Sequence, residues 1–298
     1  MTTSTTRPLH DQTILITGAT DGLGRALAHR LAAEGATLIL HGRNPAKGRH
    51  LLTDLRDRTG NDRLAFEHAD FAHLDQIHSL ADRLATRDRL DVLVNNAGIG
   101  VETAPQRSAD GLELTFQVDY LATYMLSSLL TPLLARTAGT GGGPARIVNV
   151  SSAGQAPLDF DNVLLEHHWD GVQAYCQAKL AQIMLTLDHA ELLRDHGVTV
   201  NALHPASYMP TKIVTHLFTV QSTLDEGVTH TARLITDPAL DNVTGTYFNR
   251  SRPARAHHQA YDTDARTRLR EISRQLTGVP FPAAPLRAAE NSRRQPGR

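Results

Sequence analysis

Cysteine, lysine and aromatic residues are scarce in this chain, and its charges nearly cancel. Cys176 is the only cysteine among 298 residues, so no internal disulfide can form, and a reducing compartment, the cytoplasm, is expected. Thirty basic residues against thirty-one acidic ones leave a formal charge of −1, which offers no field to attract nucleic acid or an anionic membrane. A hydrophobic content of 41% is ordinary for a globular α/β protein.

The chain also lacks a long hydrophobic run. Residues 120–135, the longest stretch without a charge, fall short of the roughly 20 apolar residues that span a bilayer, so they predict a buried helix and no membrane span. Residues 1–9 are Thr-rich, lack the apolar core of a signal peptide, and are expected to be flexible. Residues 280–298 are rich in Pro, Ala and Arg and predict a disordered tail, which leaves one domain over residues 10–279.

Short apolar, β-branched runs alternate with helix-like stretches. Between the first two runs, apolar residues at helical spacing predict a helix over residues 23–34 that stops at Gly35. This alternation is typical of an α/β fold with a doubly wound parallel sheet, right-handed crossovers and helices on both faces. The Gly-rich residues 139–144 predict a loop inside this domain. The predicted buried strands are residues 13–17, 37–41, 91–94, 146–150 and 198–203.

A glycine-rich turn directly follows the first predicted strand and opens the first predicted helix. Bare backbone lets a pyrophosphate approach closely, and a helix N-terminus offers free N–H groups and a partial positive charge. The spacing Gly-x-x-x-Gly-x-Gly is a variant of the dinucleotide fingerprint, and the alternative is a tight turn with structural glycines. The flanking strand and helix favour the dinucleotide site. The predicted cofactor contacts in this turn are Gly18, Thr20, Asp21, Gly22, Leu23 and Gly24.

The end of the second predicted strand indicates which dinucleotide binds. A coenzyme with a free ribose 2′-hydroxyl needs an acid about 20 residues beyond the glycines, and none is present there. Arg43 stands at that position instead, and its planar guanidinium suits a 2′-phosphate. We therefore expect NADP(H) in preference to NAD(H). The alternative is a solvated loop arginine in a chain whose cations are nearly all arginine.

Tyr175 and Lys179 lie one helical turn apart on a predicted helix. Because the chain has six tyrosines and only three lysines, this spacing rarely arises by chance, although a surface helix pair is the alternative. An ammonium favours a phenolate and should lower the pKa of Tyr175 from about 10 towards neutrality, as proton exchange with an alkoxide requires. Ser152 follows a predicted strand at the ligand-binding edge of the sheet, where its hydroxyl can stabilise a substrate oxygen.

Taken in order, these motifs resemble the short-chain dehydrogenase/reductase family, which implies a single Rossmann-type domain. The resemblance covers residues 10 to about 279. Within the family, the chain is most similar to the retinol dehydrogenase-like branch. The segments that carry the branch resemblance are residues 174–181 (AYCQAKLA), 201–205 (NALHP), 245–249 (GTYFN) and 269–278. The family motifs are the glycine turn, Asp70 after the third strand, Asn95-Asn96-Ala97-Gly98 after the fourth, Ser152 after the fifth, and Tyr175 with Lys179.

The resemblance implies a role for each matched residue. Ser152 would orient the carbonyl, Tyr175 would exchange the proton, and Lys179 would hold the nicotinamide ribose and tune the tyrosine. The pro-S hydride would pass between nicotinamide C4 and a substrate carbon. Asp70 would meet the adenine, and Arg43 the 2′-phosphate. The residues on the ribose side would be Asn96, Ala97 and Gly98.

One residue of the predicted catalytic set departs from the family pattern. Where the branch has an Asn in a Val-Asn-His-like triplet, this chain has Val118-Asp119-Tyr120. Asp119 can bind a relay water or pair with Lys179, but it cannot donate as an amide does, and its charge would alter the proton affinity of Tyr175. Slower turnover or a repurposed site is the expected consequence. No metal site is expected, because the histidines lack a metal-binding spacing beside an acid.

The first hypothesis is an NADP-dependent carbonyl reductase or alcohol dehydrogenase. Two segments rich in apolar residues are expected to line the substrate site. Residues 207–220 form either a mobile flap or a helix packed on the core, and residues 155–173 form the opposite wall. These segments favour a bulky, lipophilic or polycyclic carbonyl or alcohol as the substrate. The alternative is a non-redox cyclase, dehydratase or epimerase that uses Tyr175 only as an acid/base, which Asp119 motivates. The expected partner is a small-molecule substrate, and association into a homo-oligomer is left open.

Overall fold

One eight-stranded sheet forms the centre of the protein, for which a computed structural model describes residues 7–215 and 217–283. The strands are β1 (Thr13–Ile16), β2 (Thr37–Gly42), β3 (Leu64–His68), β4 (Val92–Asn95), β5 (Ala145–Val150), β6 (Val198–His204), β7 (Thr246–Asn249) and β8 (Arg252–Ala254). Their order in the sheet is β3-β2-β1-β4-β5-β6-β7-β8. Neighbours from β3 to β7 pair in parallel, and β8 pairs antiparallel with β7. The doubly wound sheet predicted from the sequence is confirmed.

Helices cover both faces of this sheet. They are α1 (Gly22–Ala33), α2 (Pro45–Thr59), α3 (Leu74–Ala85), α4 (Ala122–Gly139), α5 (Gly171–Leu193), α6 (Lys212–Thr215), α7 (Leu224–Thr236) and α8 (Thr263–Thr277). On one face α1 packs against α2 and α7, and on the other α4 packs against α3 and α5. Each face has its own cluster of buried apolar residues. The C-terminal helix α8 packs on α5.

The strands of the middle of the sheet read as continuous apolar runs because both of their faces are covered. Ile14, Leu15 and Ile16 of β1 are all fully buried, and β1 pairs with β2 on one side and with β4 on the other. The five predicted strands correspond to β1, β2, β4, β5 and β6. The strands β3, β7 and β8 were not among the predicted runs. Of these, β8 is three residues long and contains Pro253, which suits only an edge strand.

The long apolar stretch of residues 120–135 forms a buried helix, as predicted. A π-helical turn, Phe116–Leu121, continues into α4, and this stretch is long and apolar enough to cross a bilayer by length and composition alone. However, 78% of its most apolar window is buried inside the fold. Tyr120 Oη lies 2.7 Å from Ser273 Oγ, and the Tyr124 hydroxyl donates to the Val279 carbonyl at 2.9 Å. The segment around α8 therefore covers this helix.

The described parts of both predicted flexible ends make contacts. Arg7 donates its backbone N–H to the Gly142 carbonyl at 2.6 Å and its guanidinium to the Gly141 carbonyl at 2.5 Å. At the other end, the Phe281 ring lies 4.8 Å from the His189 ring. These contacts lie in residues 7–9 and 280–283, at the inner edges of the segments that were predicted to be flexible, and the predictions themselves stay untested. The remainder of those predictions, residues 1–6 and 284–298, lies outside the described residues.

Arg146 is a buried cation at the amino end of β5, which a strand pattern does not predict. Its guanidinium donates to the carbonyls of Leu234 at 2.9 Å and Asp237 at 3.0 Å, at the end of α7. It also lies 2.5 Å from the Asp241 carboxylate. The side chain is 3% exposed, so these three partners replace its hydration.

Replacing Arg146 by Met should therefore lower the free energy of unfolding by about 3 kcal/mol, because two carbonyls and a carboxylate lose their donor. Urea denaturation of the full chain measures this difference. The matched control is Arg49→Met on the exposed face of α2, which we expect to change stability by less than about 0.5 kcal/mol. An Arg146 variant as stable as this control would contradict the assignment.

Candidate active site

The glycine turn after β1 has no space for side chains at two of its glycines. A Cβ placed on Gly18, whose φ is +65°, would lie 2.7 Å from Ala97 Cα. A Cβ on Gly24 would lie 2.4 Å from the Gly18 carbonyl oxygen. The turn therefore brings bare backbone to the carboxyl edge of the sheet, where α1 begins. This arrangement fits the close approach of a pyrophosphate to a helix N-terminus.

Three other residues of the predicted turn have local structural contacts. Asp21 caps α1, since its Oδ1 accepts the Gly22 N–H at 2.9 Å. Leu23 is 6% exposed and packs in the apolar cluster beneath the turn. Thr20 lies against Gly42 at the end of β2, because a Cβ on Gly42 would be 2.7 Å from Thr20 Cγ2. Because the Leu23 side chain is buried, a ligand can reach only the backbone of this residue.

Cations surround the exposed Asp21 carboxylate. Lys212 Nζ lies 2.5 Å and Lys47 Nζ 4.0 Å from Asp21 Oδ2. Lys212 lowers the pKa of Asp21, although partial burial opposes it. Arg43 is exposed at the end of β2, and its charge acts on Lys212. Sequence reasoning assigned no role to Lys47 or Lys212. The scarcity of lysine in the chain is the feature that could have drawn attention to these two residues.

The predicted ribose-side residues hold the turn in place. Asn96 Nδ2 donates to the Thr17 carbonyl at 2.8 Å, and the backbone N–H groups of Asn96 and Ala97 both donate to Thr17 Oγ1 at 2.9 Å. The Asn96 amide is therefore engaged with the protein backbone. Asp70 lies half-buried at the carboxyl end of β3, where its Oδ1 accepts the Ala72 N–H at 3.1 Å.

His41 also supports the glycine turn, and sequence reasoning missed it. Its Nδ1 accepts the Gly18 N–H at 3.3 Å, and Nε2 lies 3.0 Å from the Ala69 carbonyl, which assigns the proton to Nε2. The ring stacks on Phe71 with a centroid distance of 4.3 Å. Burial lowers the pKa of His41 to about 4, so the imidazole is neutral at neutral pH. His41 therefore fastens the turn to β2 and β3 without adding charge.

Tyr175 and Lys179 project from α5, which Asp170 caps by accepting the Gln173 N–H at 2.8 Å. Lys179 Nζ lies 5.5 Å from the centroid of the Tyr175 ring. The expectation of a lowered tyrosine pKa is wrong for the protein alone: burial raises the pKa of Tyr175 above 10, and Lys179 and Ser152 oppose this only in part. Desolvation of the phenolate outweighs the nearby ammonium.

Ser152 lies on the loop after β5, beside Tyr175. Its hydroxyl oxygen accepts the Gly154 N–H at 3.0 Å. Its carbonyl accepts the Tyr247 hydroxyl at 3.0 Å and Gln155 Nε2 at 3.2 Å. Tyr247, on β7, is distant in sequence, and sequence reasoning assigned it no role. These bonds fix the backbone that presents the Ser152 side chain.

Asp119 lies in the π-helical turn Phe116–Leu121 and meets Lys179 directly. Its side chain is fully buried, with Oδ2 2.9 Å from Lys179 Nζ and Oδ1 accepting the Ile99 N–H at 2.7 Å. Burial raises the pKa of the Asp119 carboxyl, against the opposing effect of Lys179. Burial also disfavours the Lys179 ammonium, but Asp119 outweighs it and the pKa of Lys179 is raised. We assign a carboxylate and an ammonium, since both carboxylate oxygens face N–H donors.

Residues 207–220, expected to be either a mobile flap or a helix packed on the core, lie across the cleft between the glycine turn and the loop after β4. We call residues 207–215 and 217–222 the strap. A Cβ on Gly22 would lie 3.2 Å from Thr211 Cγ2, and one on Gly100 would lie 2.8 Å from Ile213 Cγ2. The strap thus reaches from α1 to the loop after β4, where a cavity of about 220 Å³ opens beside Ile213. Its apolar side chains that are 39–45% exposed are Tyr208, Ile213, Leu217, Phe218 and Val220.

The expected opposite wall contributes less apolar surface. Leu158, Val163 and Leu165 are buried in the core, and Phe160 is partly buried against it. Trp169 Nε1 lies 3.4 Å from Glu113 Oε1. Val172 is the exposed large apolar side chain of this wall, whereas the strap has five among the described residues. Within residues 7–215 and 217–283, no three His, Cys, Asp or Glu side chains are grouped as metal ligands.

Comparisons with known proteins agree with this geometry. The family model described as short chain dehydrogenase matches residues 12–221. Retinol dehydrogenase 13 of Mus musculus is 31% identical over 90% of this chain and 84% of its own, and polyprenol dehydrogenase of Homo sapiens is 30% identical over 91% and 87%.

Solved structures agree as well. A protein of Mycobacterium paratuberculosis superposes with a TM-score of 0.76 at 26% identity, covering 93% of this chain and 97% of its own. A short chain dehydrogenase of Escherichia coli complexed with NADPH superposes with a TM-score of 0.66 at 25% identity, covering 84% and 99%. The chain therefore belongs to the short-chain dehydrogenase family of oxidoreductases, in its retinol dehydrogenase-like branch.

Proposed function

We propose that this protein is an NADP-dependent carbonyl reductase or alcohol dehydrogenase for a bulky, lipophilic substrate. The observation that carries the proposal is the placement of Tyr175, Lys179 and Ser152 at the edge of the sheet where the glycine turn opens. A phenol, an ammonium and a hydroxyl at that edge are the groups that hydride transfer to a carbonyl requires from the protein.

The cleft suits a nicotinamide dinucleotide with a 2′-phosphate. The bare turn at Gly18 and Gly24 would receive the pyrophosphate, and Asp70 would lie at the adenine. Arg43, Lys47 and Lys212 would surround the 2′-phosphate, and NAD(H) is the alternative without that group. The NADPH complex of the Escherichia coli neighbour supports this preference. When bound, the coenzyme supplies or accepts the hydride.

The residues of the chain itself would handle the proton and the substrate oxygen. The Ser152 hydroxyl would donate a hydrogen bond to the carbonyl oxygen and stabilise the negative charge that develops there. The Tyr175 phenol would give its proton to the same oxygen. Lys179 would bind the ribose hydroxyls from its position under Tyr175, as the ammonium of this family does. Asn96, Ala97 and Gly98 would keep the turn in register with the site.

The strap supports a lipophilic substrate. Monomeric proteins seldom expose a contiguous group of large apolar side chains without a use. Here Tyr208 and Phe218 contact each other, with ring centroids 5.1 Å apart, on a segment that crosses the cleft. Names of two relatives, retinol and polyprenol dehydrogenases, fit a lipophilic alcohol. The free Cys176 supports a further proposal, a reducing compartment such as the cytoplasm.

A non-redox reaction is the second candidate, because the Asp119–Lys179 ion pair suits acid catalysis as well as it suits a reduction. Burial and the pairing of Lys179 leave Tyr175 as a protonated phenol, which an acid-catalysed cyclisation, dehydration or epimerisation can use as readily as a reduction. The two candidates differ in coenzyme balance. Product formed without consumption of NADPH would select the non-redox reaction.

Tyr175→Phe removes the proton donor and little else. We expect kcat for NADPH-dependent reduction of all-trans-retinal to fall at least about 100-fold, because general acid catalysis is lost. The dissociation constant of NADPH, measured by fluorescence titration, should change less than about threefold, since the ring and Lys179 remain. Full activity in this variant would rule out the mechanism.

Arg43→Ala and Lys212→Met should each weaken binding of adenosine 2′,5′-bisphosphate about tenfold, because a cation facing the 2′-phosphate is lost. Binding of adenosine 5′-monophosphate should hardly change. Isothermal titration calorimetry compares the two ligands, with Arg49→Ala on α2 as a control of equal charge change. Equal losses for both ligands would show that these cations do not read the 2′-phosphate.

Leu217→Ser and Phe218→Ser in the strap should each raise KM for all-trans-retinal about fivefold, corresponding to about 1 kcal/mol of lost apolar contact. KM for glyceraldehyde, a hydrophilic aldehyde, should stay the same and serves as the control. Steady-state rates of NADPH oxidation give both values. A parallel rise in both KM values would place the strap's effect on the coenzyme or on stability instead of the substrate.

A further inference from the structure

Asp119 carries a charge where the family pattern has a neutral amide. Its carboxylate touches the Lys179 ammonium at 2.9 Å and is fully buried. Its backbone carbonyl is also occupied, because Gln182 Nε2 donates to it at 2.7 Å and to Thr123 Oγ1 at 3.2 Å. The contact between the two side chains is therefore direct, and Gln182 holds the turn that carries Asp119.

The position would accept an amide equally well by shape. Asp119 Oδ2 lies 3.0 Å from where a Cβ on Gly98 would be, so the side chain fits because Gly98 has none. The Ile99 N–H donates to Oδ1, and an Asn oxygen can accept the same bond. Asp and Asn have nearly the same volume. The second side-chain atom of an Asn would be an NH2 donor facing the Lys179 ammonium, whereas Asp119 Oδ2 is a charged acceptor 2.9 Å from it. This chain therefore differs from the family pattern in charge and in the contact to Lys179, which points to an electrostatic role.

The Lys179 ammonium lies 5.5 Å from the centroid of the Tyr175 ring, and its charge lowers the pKa of Tyr175 against the effect of burial. Asp119 offsets part of that charge, because its carboxylate lies 2.9 Å from the ammonium and raises the pKa of Tyr175, although less than Lys179 lowers it. Glu102 also acts on Asp119 and has the same sign as its carboxylate. The titratable or polar groups that act on Tyr175 are Lys179 and Cys176 of α5, Ser152 after β5, Asp119 before α4, and Tyr247 of β7.

We propose that Asp119, by offsetting the charge of Lys179, adds to the effect of burial in keeping the Tyr175 phenol protonated and thereby directs this site towards carbonyl reduction at neutral pH. The inference rests on the proposed hydride transfer, and it adds the direction that the chain is built to catalyse. Asp119 acts through Lys179 and is therefore a positioning residue.

The two directions need different forms of Tyr175. In reduction, the hydride brings both electrons to the carbonyl carbon, the C=O π bond breaks, and the oxygen takes the phenol proton, which leaves NADP⁺ and a tyrosinate. In oxidation, Tyr175 must begin as the tyrosinate in order to accept the alcohol proton. Each rise of 1 in its pKa leaves tenfold less tyrosinate at neutral pH. A site that holds the phenol form is ready for reduction and slow in oxidation.

Ultraviolet titration of tyrosinate tests this assignment in the full chain without coenzyme or substrate. Subtracting the titration of Tyr175→Phe from that of the wild type isolates Tyr175 from the five other tyrosines. The same subtraction is made for Asp119→Asn with and without Tyr175→Phe. We expect no Tyr175 ionisation near neutral pH in the wild type. In Asp119→Asn the Tyr175 pKa should fall by about 1, since the charge of the ammonium is no longer offset.

Activity provides the second readout. Asp119→Asn should raise the rate of all-trans-retinol oxidation relative to all-trans-retinal reduction about tenfold at neutral pH. An unchanged Tyr175 titration in a folded Asp119→Asn variant would overturn the proposal. If that variant does not fold, the same titration is made with Asp119→Ser, a smaller neutral side chain: an unchanged Tyr175 pKa there overturns the proposal, and a fall of about 1 supports it.

These outcomes separate this inference from the proposed function. Retinal reduction together with a wild-type Tyr175 that ionises near neutral pH would refute the role of Asp119 and leave the oxidoreductase assignment intact. A protonated Tyr175 that responds to Asp119→Asn, with no consumption of NADPH for any carbonyl tested, would refute the oxidoreductase assignment and leave the charge assignment intact.

Discussion

A buried ammonium at the carboxyl edge of the sheet sets a requirement that the surrounding residues meet. Lys179 is 5% exposed, and an unpaired charge so far from water is strongly unfavourable. Asp119 supplies the counter-ion, while the Val150 carbonyl and Gln182 Oε1 each lie 3.4 Å from the ammonium. The π-helical turn before α4 brings Asp119 into reach, and Gly98 leaves the space. The geometry of the Tyr175 site follows from these contacts.

The lysines give the two ends of the cleft different charge environments, one buried and one exposed. All three lysines of the chain lie along it: Lys179 pairs with Asp119, and Lys47 and Lys212 approach Asp21. The first pair is buried and therefore holds a fixed charge balance. The pairs at Asp21 are exposed, so water screens them and their ammonium groups can change partners at little cost. A compact ammonium suits such an exchange better than a planar guanidinium.

Local patterns predicted the parts of this protein that depend on neighbours in sequence. The strands around Ile14 and Val148, the glycine turn, and the Tyr175–Lys179 spacing are of this kind, because each can be recognised from residues that lie within a few positions of one another. The residues that were missed act across the fold: His41 on Gly18, Tyr247 on the Ser152 carbonyl, and Lys212 on Asp21. The raised pKa of Tyr175 was missed for the same reason, since burial depends on tertiary packing.

Hydride transfer at the Tyr175 edge is tested most directly by following an isotopic label. With NADPH deuterated at C4 and all-trans-retinal as the acceptor, we expect retinol that carries deuterium on the former carbonyl carbon, at a rate lowered by a primary isotope effect. Retinol formed without deuterium, or product formed while the labelled coenzyme stays intact, would contradict hydride transfer by this protein.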